Sequence, residues 1–167
     1  MRYRFADRIL EIDAHGAGSL TAAKAFPRTE EYFDGTFRRE NEVPSSLILE
    51  SMAAAGSFLL TAKSRYRTHA LLLKVNRAAF PRPVLAGDRM IVHSRVAGAQ
   101  EDWGGRDARE DAVGVAEVHA RCRVGASDVA DASLLFLCVP LSRTLGARGE
   151  EVVSGMLELL GYGETRP

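Results

Sequence analysis

The hydrophobic positions change rhythm several times along the chain, and each change marks an element. Arg8-Ile9-Leu10-Glu11-Ile12-Asp13 partly alternates apolar with polar, the pattern of a half-buried strand. Ala14-His15-Gly16-Ala17-Gly18 reads as a turn, and Ser19–Ala25 as a returning strand. Residues 26–43 have no period and carry mixed charge. Pro44 then opens a run rich in Ala, Leu and Met that extends to Leu60 and predicts a helix, since proline is preset for a first-turn position. Apolar and small residues occur nearly all the way round it, so the helix is expected to be buried. Strand-like stretches follow at residues 71–75, 90–97, 113–124 and 133–139. Residues 100–111, with Gly104-Gly105, read as a loop within a hairpin. In residues 150–160, Val152, Val153, Met156, Leu157 and Leu160 recur at helical spacing, which predicts a terminal amphipathic helix.

Short strands, one buried helix and then long strands predict an α+β fold, an antiparallel sheet with a helix packed on one face. A chain of 167 residues has room for one such core and not for two ordinary domains. The domain is expected over residues 1–142, with the amphipathic helix and tail over residues 143–167.

Composition adds what the pattern leaves open. Lys plus Arg and Asp plus Glu both number 22, so the formal net charge is zero, which argues against bulk binding of nucleic acid or anionic membrane. The charge is uneven, however. Residues 61–96 carry eight bases against one acid, a block of +7, and residues 97–118 carry two bases against six acids, a block of −4. Read blandly, the basic block is a solvated face with counter-charges nearby. Read functionally, it is a docking patch. The start of the chain has no apolar signal core, and no stretch reaches the roughly 20 apolar residues of a membrane span. Cys122 and Cys138 lack CxxC spacing and sit in strand-like segments. Two reduced, buried thiols in a cytoplasmic protein are therefore expected.

No phosphate-binding glycine loop, zinc spacing or nucleophile elbow is present, and neither a metal nor a cofactor is expected. His15, His69, His93 and His119 lie far apart in sequence. Glu50 stands out because it lies inside the apolar helix, where an ionised carboxylate is costly to bury. The residue three before it is Leu47, so it is not part of a capping box. Two readings stand. Glu50 belongs to a polar stripe with Ser46, Ser57 and Lys63, or it is a buried carboxylate near a helix N-terminus, fit for acid–base work.

Tyr32-Phe33-Asp34-Gly35-Thr36-Phe37-Arg38-Arg39-Glu40-Asn41-Glu42-Val43-Pro44-Ser45-Ser46-Leu47-Ile48-Leu49-Glu50 resembles the signature F-x-G-H-F-P-x-x-P-V-x-P-G-x-L-x-x-E/D of the beta-hydroxyacyl-acyl-carrier-protein dehydratases, the FabA/FabZ type. Phe33, Gly35, Phe37, Pro44, Leu47 and Glu50 match without a gap. The Asp7-Arg8 opening and the run from Val75 to Met90, with Phe80, Pro83-Val84 and Gly87-Asp88, are similar to two further motifs of that family, in the same order. Residues 121–134 resemble its closing strand pair.

The resemblance implies a hotdog fold, an antiparallel sheet wrapped around a long central helix, working as a dimer with acyl tunnels at the interface. It implies substrates carried on acyl carrier protein or coenzyme A, bound near Gly35, Phe37, Pro44, Ser45 and Ser46, with Glu50 as the acidic catalytic partner. It also marks departures. Thr36 stands at the position of the catalytic His, and a hydroxyl is no base near neutral pH without an activator. Ser45 stands for the Gly whose N–H polarises the thioester carbonyl, and still offers an N–H there.

Three expectations follow. The chain is a degenerate dehydratase-like subunit, a homodimer or a heterodimer with a His-bearing partner and open to higher assembly. Alternatively it is a thioesterase using Glu50, or a non-catalytic acyl-binding scaffold. Carrier docking would fall to Lys63, Arg65, Arg67, Arg77 and Arg82, with no role for nucleic acid or membrane.

Overall fold

The computed structural model describes residues 5–29, 41–99, 113–144 and 146–161. Six strands form one antiparallel sheet in the order β1-β2-β4-β5-β6-β3: β1 Arg8–Asp13, β2 Ser19–Ala25, β3 Thr68–Ala79, β4 Arg89–Ala99, β5 Gly114–Val124 and β6 Ser127–Pro140. The helix α1, Ser45–Lys63, packs on one face of this sheet. The chain closes with a short α2, Leu141–Thr144, a 3-10 turn at Gly146–Arg148 and α3, Gly149–Leu159. The α+β arrangement predicted by the hydrophobic pattern is the one observed.

The core follows from two periodicities meeting. On β4, β5 and β6 alternate residues face α1: Met90 and Val92, then Ala116, Val118, Ala120 and Cys122, then Ala132, Leu134, Phe136 and Cys138, all buried. From the helix, Ile48, Met52, Leu59 and Leu60 fill the space above them. Each such side chain contributes about 1.5–3 kcal/mol when removed from water. The many alanines on the sheet let α1 approach closely. Contact is tightest at Gly56, where an added Cβ would lie 2.9 Å from Phe136 Cζ.

The two ends of α1 are tied to different loops. Val43 N–H donates to Val84 O, Ala86 N–H donates to Asn41 O, and Glu42 pairs with Leu85. The residues before Pro44 therefore dock on the β3–β4 connection, whose Gly87 needs its positive φ of 97° and whose Asp88 carboxylate accepts from Leu85 N–H. At the other end, Lys63 Nζ donates to Gly16 O in the β1–β2 turn, 3.0 Å away.

The two sheet edges differ. At β1, Ile9 N–H donates to Leu160 O, and Val153 and Leu160 join the core, so the C-terminal segment covers that edge. The side chains of Met156 and Leu157 lie outside the described residues, and Val152 is exposed. At β3 the consecutive residues Leu71, Leu72 and Leu73 are 40, 40 and 56% exposed. Two irregularities of register interrupt this strand, at Leu72/Lys74 and Val75/Arg77.

Candidate functional site

Between Ile48 and Ala62, the residues of α1 that are not buried are Leu49, Glu50, Ala54, Ser57 and Phe58. Four of them, Glu50, Ala54, Ser57 and Phe58, recur at spacings of three and four, so they form one stripe of the helix. Ser57 Oγ donates to Ala70 O on β3 at 2.7 Å, which turns this stripe toward the bare edge of the sheet.

The polar-stripe reading of Glu50 therefore holds within the protomer for Ser46, Glu50 and Ser57. The reading of a buried carboxylate is corrected for the protomer: Glu50 is exposed, and among the described residues no strand lies beyond β3 to cover the helix face that carries it. Lys63 leaves the stripe for the Gly16 carbonyl. Among the described residues no hydrogen-bond or ion-pair partner reaches Glu50.

The neighbourhood of Glu50 is set by antiparallel geometry. Helix α1 and strand β3 run in opposite directions from the turn that joins them. Moving from Ser57 to Glu50 covers about 10 Å along the helix, the span of roughly three residues of β3 beyond Ala70. There the inward-facing residues are Leu72, opposite Phe136, and Val75, opposite Leu134. A carboxylate thus stands on the helix side that faces β3, level with the exposed Leu72.

The start of α1 supplies the second feature. Pro44 offers no capping side chain, and the first backbone donors with acceptors are Leu47 and Ile48, both to Pro44 O. Among the described residues, the N–H groups of Ser45 and Ser46 have no acceptor, and both residues are exposed. Free N–H groups at a helix N-terminus favour an oxygen carrying partial negative charge. Pro44, Ser45, Ser46 and Glu50 are thus brought to one end and one side of the helix. Gly35, Thr36 and Phe37 lie outside the described residues, as does the predicted loop at residues 100–111.

The histidines are placed elsewhere. His93 Nδ1 lies 3.1 Å from Thr21 Oγ1 and His119 Nδ1 lies 3.3 Å from Arg95 Nη2, both on the outer face of the sheet. His69 is the second residue of β3, and half-burial holds its imidazole below the usual histidine pKa. Cys122 and Cys138 are free and buried, with burial pushing both thiols up to about 12.

The five carrier-docking candidates do not form one patch. Lys63, Arg65 and Arg67 lie at the C-terminal end of the 19-residue helix, where Lys63 holds Gly16 O and Arg67 Nε holds Ser64 O. Arg77 and Arg82 lie toward the other end of this helix, which is about 28 Å long. There Arg77 pairs with Asp131 at 2.7 Å and Arg82 donates to Ser127 Oγ. Sequence reasoning missed the backbone ties from Asn41–Val43 to Val84–Ala86. These bring two separately read motifs into contact, and the only signal for them was that both motifs flank prolines and a glycine.

Comparison with known proteins agrees with this architecture. The FabA-like domain family matches residues 1–122. The 3-hydroxyacyl-[acyl-carrier-protein] dehydratase FabZ of Protochlamydia amoebophila (strain UWE25) is 33% identical over 126 residues, spanning 74% of this chain and 80% of that protein. FabZ of Brucella ovis is 32% identical over 133 residues, spanning 76 and 83%. Among solved structures, a hot-dog-like protein from Thermanaerovibrio acidaminovorans superposes with a TM-score of 0.60 at 13% identity, over 83% of this chain and 93% of that one. The long central helix, the six-stranded antiparallel sheet and the match over residues 1–122 together establish that the chain belongs to the FabA-like family and has the hotdog fold.

Proposed function

We propose that the protein binds an acyl thioester, carried on acyl carrier protein or coenzyme A, in the groove between α1 and β3. Glu50 serves as the carboxylate of an acid–base pair. The single observation that carries this reading is the Glu50 carboxylate, which has no partner among the described residues, on the helix stripe that faces β3 and on the same helix as the Ser45 and Ser46 N–H groups, which have no acceptor among them.

The groove is open in one protomer, and the bare β3 edge supports closing it with a second. Three consecutive exposed leucines on an unpaired edge are a template for strand pairing. Two copies joined edge to edge through β3 would make one continuous sheet, with each Glu50 at the seam between protomers.

The dehydration reaction removes a proton from C2 of a 3-hydroxyacyl thioester and expels the C3 hydroxyl as water. Glu50 can donate the proton that the leaving hydroxyl needs, while Ser45 N–H holds the thioester carbonyl as charge builds on its oxygen. Abstraction at C2 needs a base, and with Thr36 in the family's His position this chain lacks it. The chain accordingly acts as a degenerate subunit or completes the site of a His-bearing partner in a cytoplasmic heterodimer. Docking of the carrier falls to Arg77 and Arg82, which lie toward the helix end that bears Ser45, rather than to Lys63, Arg65 and Arg67.

A second reading, hydrolysis of the thioester, draws on the solvent-open state of Glu50. The carboxylate could activate water against a carbonyl held by Ser45 N–H, with no need of a histidine. Assays of both reactions separate the two. The main reading expects binding of acyl thioesters with little hydration of crotonyl thioester by the homodimer, and hydration gained in Thr36→His by about 100-fold or more, the usual yield of general acid–base catalysis. Hydrolysis by the wild type that is lost in Glu50→Ala would establish the second reading instead.

A further inference from the structure

Past Glu50 the uncovered stripe of α1 changes character. Its next members toward the helix C-terminus are Ala54, Ser57 and Phe58, all half-buried. The Ser57 hydroxyl proton is spent on Ala70 O, so this one polar group is already satisfied within the protomer. From β3 the helix-facing Leu72, opposite Phe136, adds an exposed apolar side chain beside the stripe. One turn beyond Ser57 and Phe58 the stripe ends, because Thr61 is 4% exposed. Ala54 and Phe58 stand out by their difference in size. Ala54 presents one methyl. Phe58 presents a ring that packs against the core and is held there.

The chemistry proposed at Glu50 gives this stripe a direction. With the thioester carbonyl at Ser45 N–H and C3 at Glu50, the carbons after C3 continue along α1 toward Phe58. They pass Ala54 where the helix surface is lowest and meet the Phe58 ring. We infer that Ala54 admits the acyl chain and Phe58 stops it, so that the protein selects acyl groups of medium length. This rests on the thioester reading and adds to it the class of acyl group bound and the residue that sets the limit.

Helix geometry gives the limit a size. Phe58 lies about 12 Å beyond Glu50 along the axis, and both side chains lean toward the helix N-terminus, so the separation carries over to their ends. Carbon–carbon contact with the ring takes up about 4 Å of this and leaves about 8 Å. An extended chain at roughly 1.25 Å per carbon fills that length with about six carbons beyond C3. The longest acyl group accommodated in full is therefore one of about nine carbons.

Calorimetric titration of the full chain with saturated acyl-pantetheine amides of about 4 to about 14 carbons tests the inference, since each methylene taken out of water adds about four-fold to affinity. These amides carry the arm that acyl carrier protein and coenzyme A share, and they do not react. Affinity is expected to climb by that factor per carbon to about nine carbons and then to level off. Phe58→Ala moves the limit out by about three carbons, the length of the turn that separates Phe58 from Thr61. Ala54→Leu, a good helix former on a half-buried position, moves it in to about five carbons. Far-ultraviolet circular dichroism confirms that each variant is folded. A limit unmoved by Ala54→Leu would overturn the path along the stripe, and one unmoved in folded Phe58→Ala would overturn Phe58 as the stop. Binding that persists in both cases leaves the thioester reading standing, whereas no binding at any length overturns that reading and the inference with it.

Discussion

Lys24 shows how much one side chain can hold. It is 5% exposed, on the inner face of β2, where an unpaired ammonium would be costly. Asp7 answers it at 3.1 Å while also accepting from Ala25 N–H at 2.6 Å, so the same carboxylate pins the start of β1 to the end of β2. Asp7 is itself partly in solvent, which places the loss on Asp7→Ala at about 1–2 kcal/mol in denaturant unfolding. The two cysteines give a pH-dependent signature. Their folded pKa of about 12 lies above the unfolded thiol value, so the unfolded chain loses these protons first as pH rises. Stability is therefore intact below pH 9 and falls above it, by about 1.4 kcal/mol per pH unit for each thiol. A Cys122→Ala/Cys138→Ala variant should lose that slope.

The cysteines' burial was legible from their place in apolar alternation, whereas the exposure of Glu50 was only one of two readings. A helix apolar nearly all round predicts burial on every side, and which stripe stays open depends on where the sheet ends. The basic block is scattered in the fold for a related reason. A count along the sequence adds residues at opposite ends of α1, and in strands alternate positions point to opposite faces.

Among the elements, α1 is the most constrained. Gly56→Ala gains about 1 kcal/mol of helix propensity. The new methyl meets the ring of Phe136, which is fully buried between helix and sheet and cannot swing aside. Overpacking of this kind costs about 1–3 kcal/mol, so the variant should unfold at a lower temperature than the wild type despite its better helix former. Strands β1 and β2 were readable to the residue because alternation and a glycine-bearing turn agree there. Strand β3 was read as residues 71–75 but runs Thr68–Ala79. Two bulges break its alternation, so the period-two signal fails between Leu72 and Arg77. Helix α3 was expected as an appendage, and its role in closing the β1 edge depends on a backbone bond from Ile9 to Leu160 that no side-chain pattern announces. Removal of residues 149–167 should expose that edge and the core residues that Val153 and Leu160 pack against, costing about 3–5 kcal/mol and promoting aggregation on heating.

For the whole molecule, the asymmetry of the sheet is the organising fact. One edge is closed by the chain's own C-terminal segment, and the other presents Leu71, Leu72 and Leu73. The open edge lies beside the only exposed acid of the helix interior, so assembly and chemistry meet along β3. Leu72→Lys places a charge at that seam and should weaken edge-to-edge pairing in sedimentation velocity, along with acyl-thioester binding. In the edge-to-edge pair proposed above, the surroundings of Glu50 would be completed across that seam. Hydration of crotonyl thioester tests this most directly, comparing the wild type, Thr36→His and Thr36→His/Glu50→Gln under one set of conditions. Little activity is expected in the wild type, with a gain of about 100-fold or more in Thr36→His and loss of that gain when Glu50 is also replaced. Activity in the wild-type homodimer that persists in Glu50→Gln would contradict it.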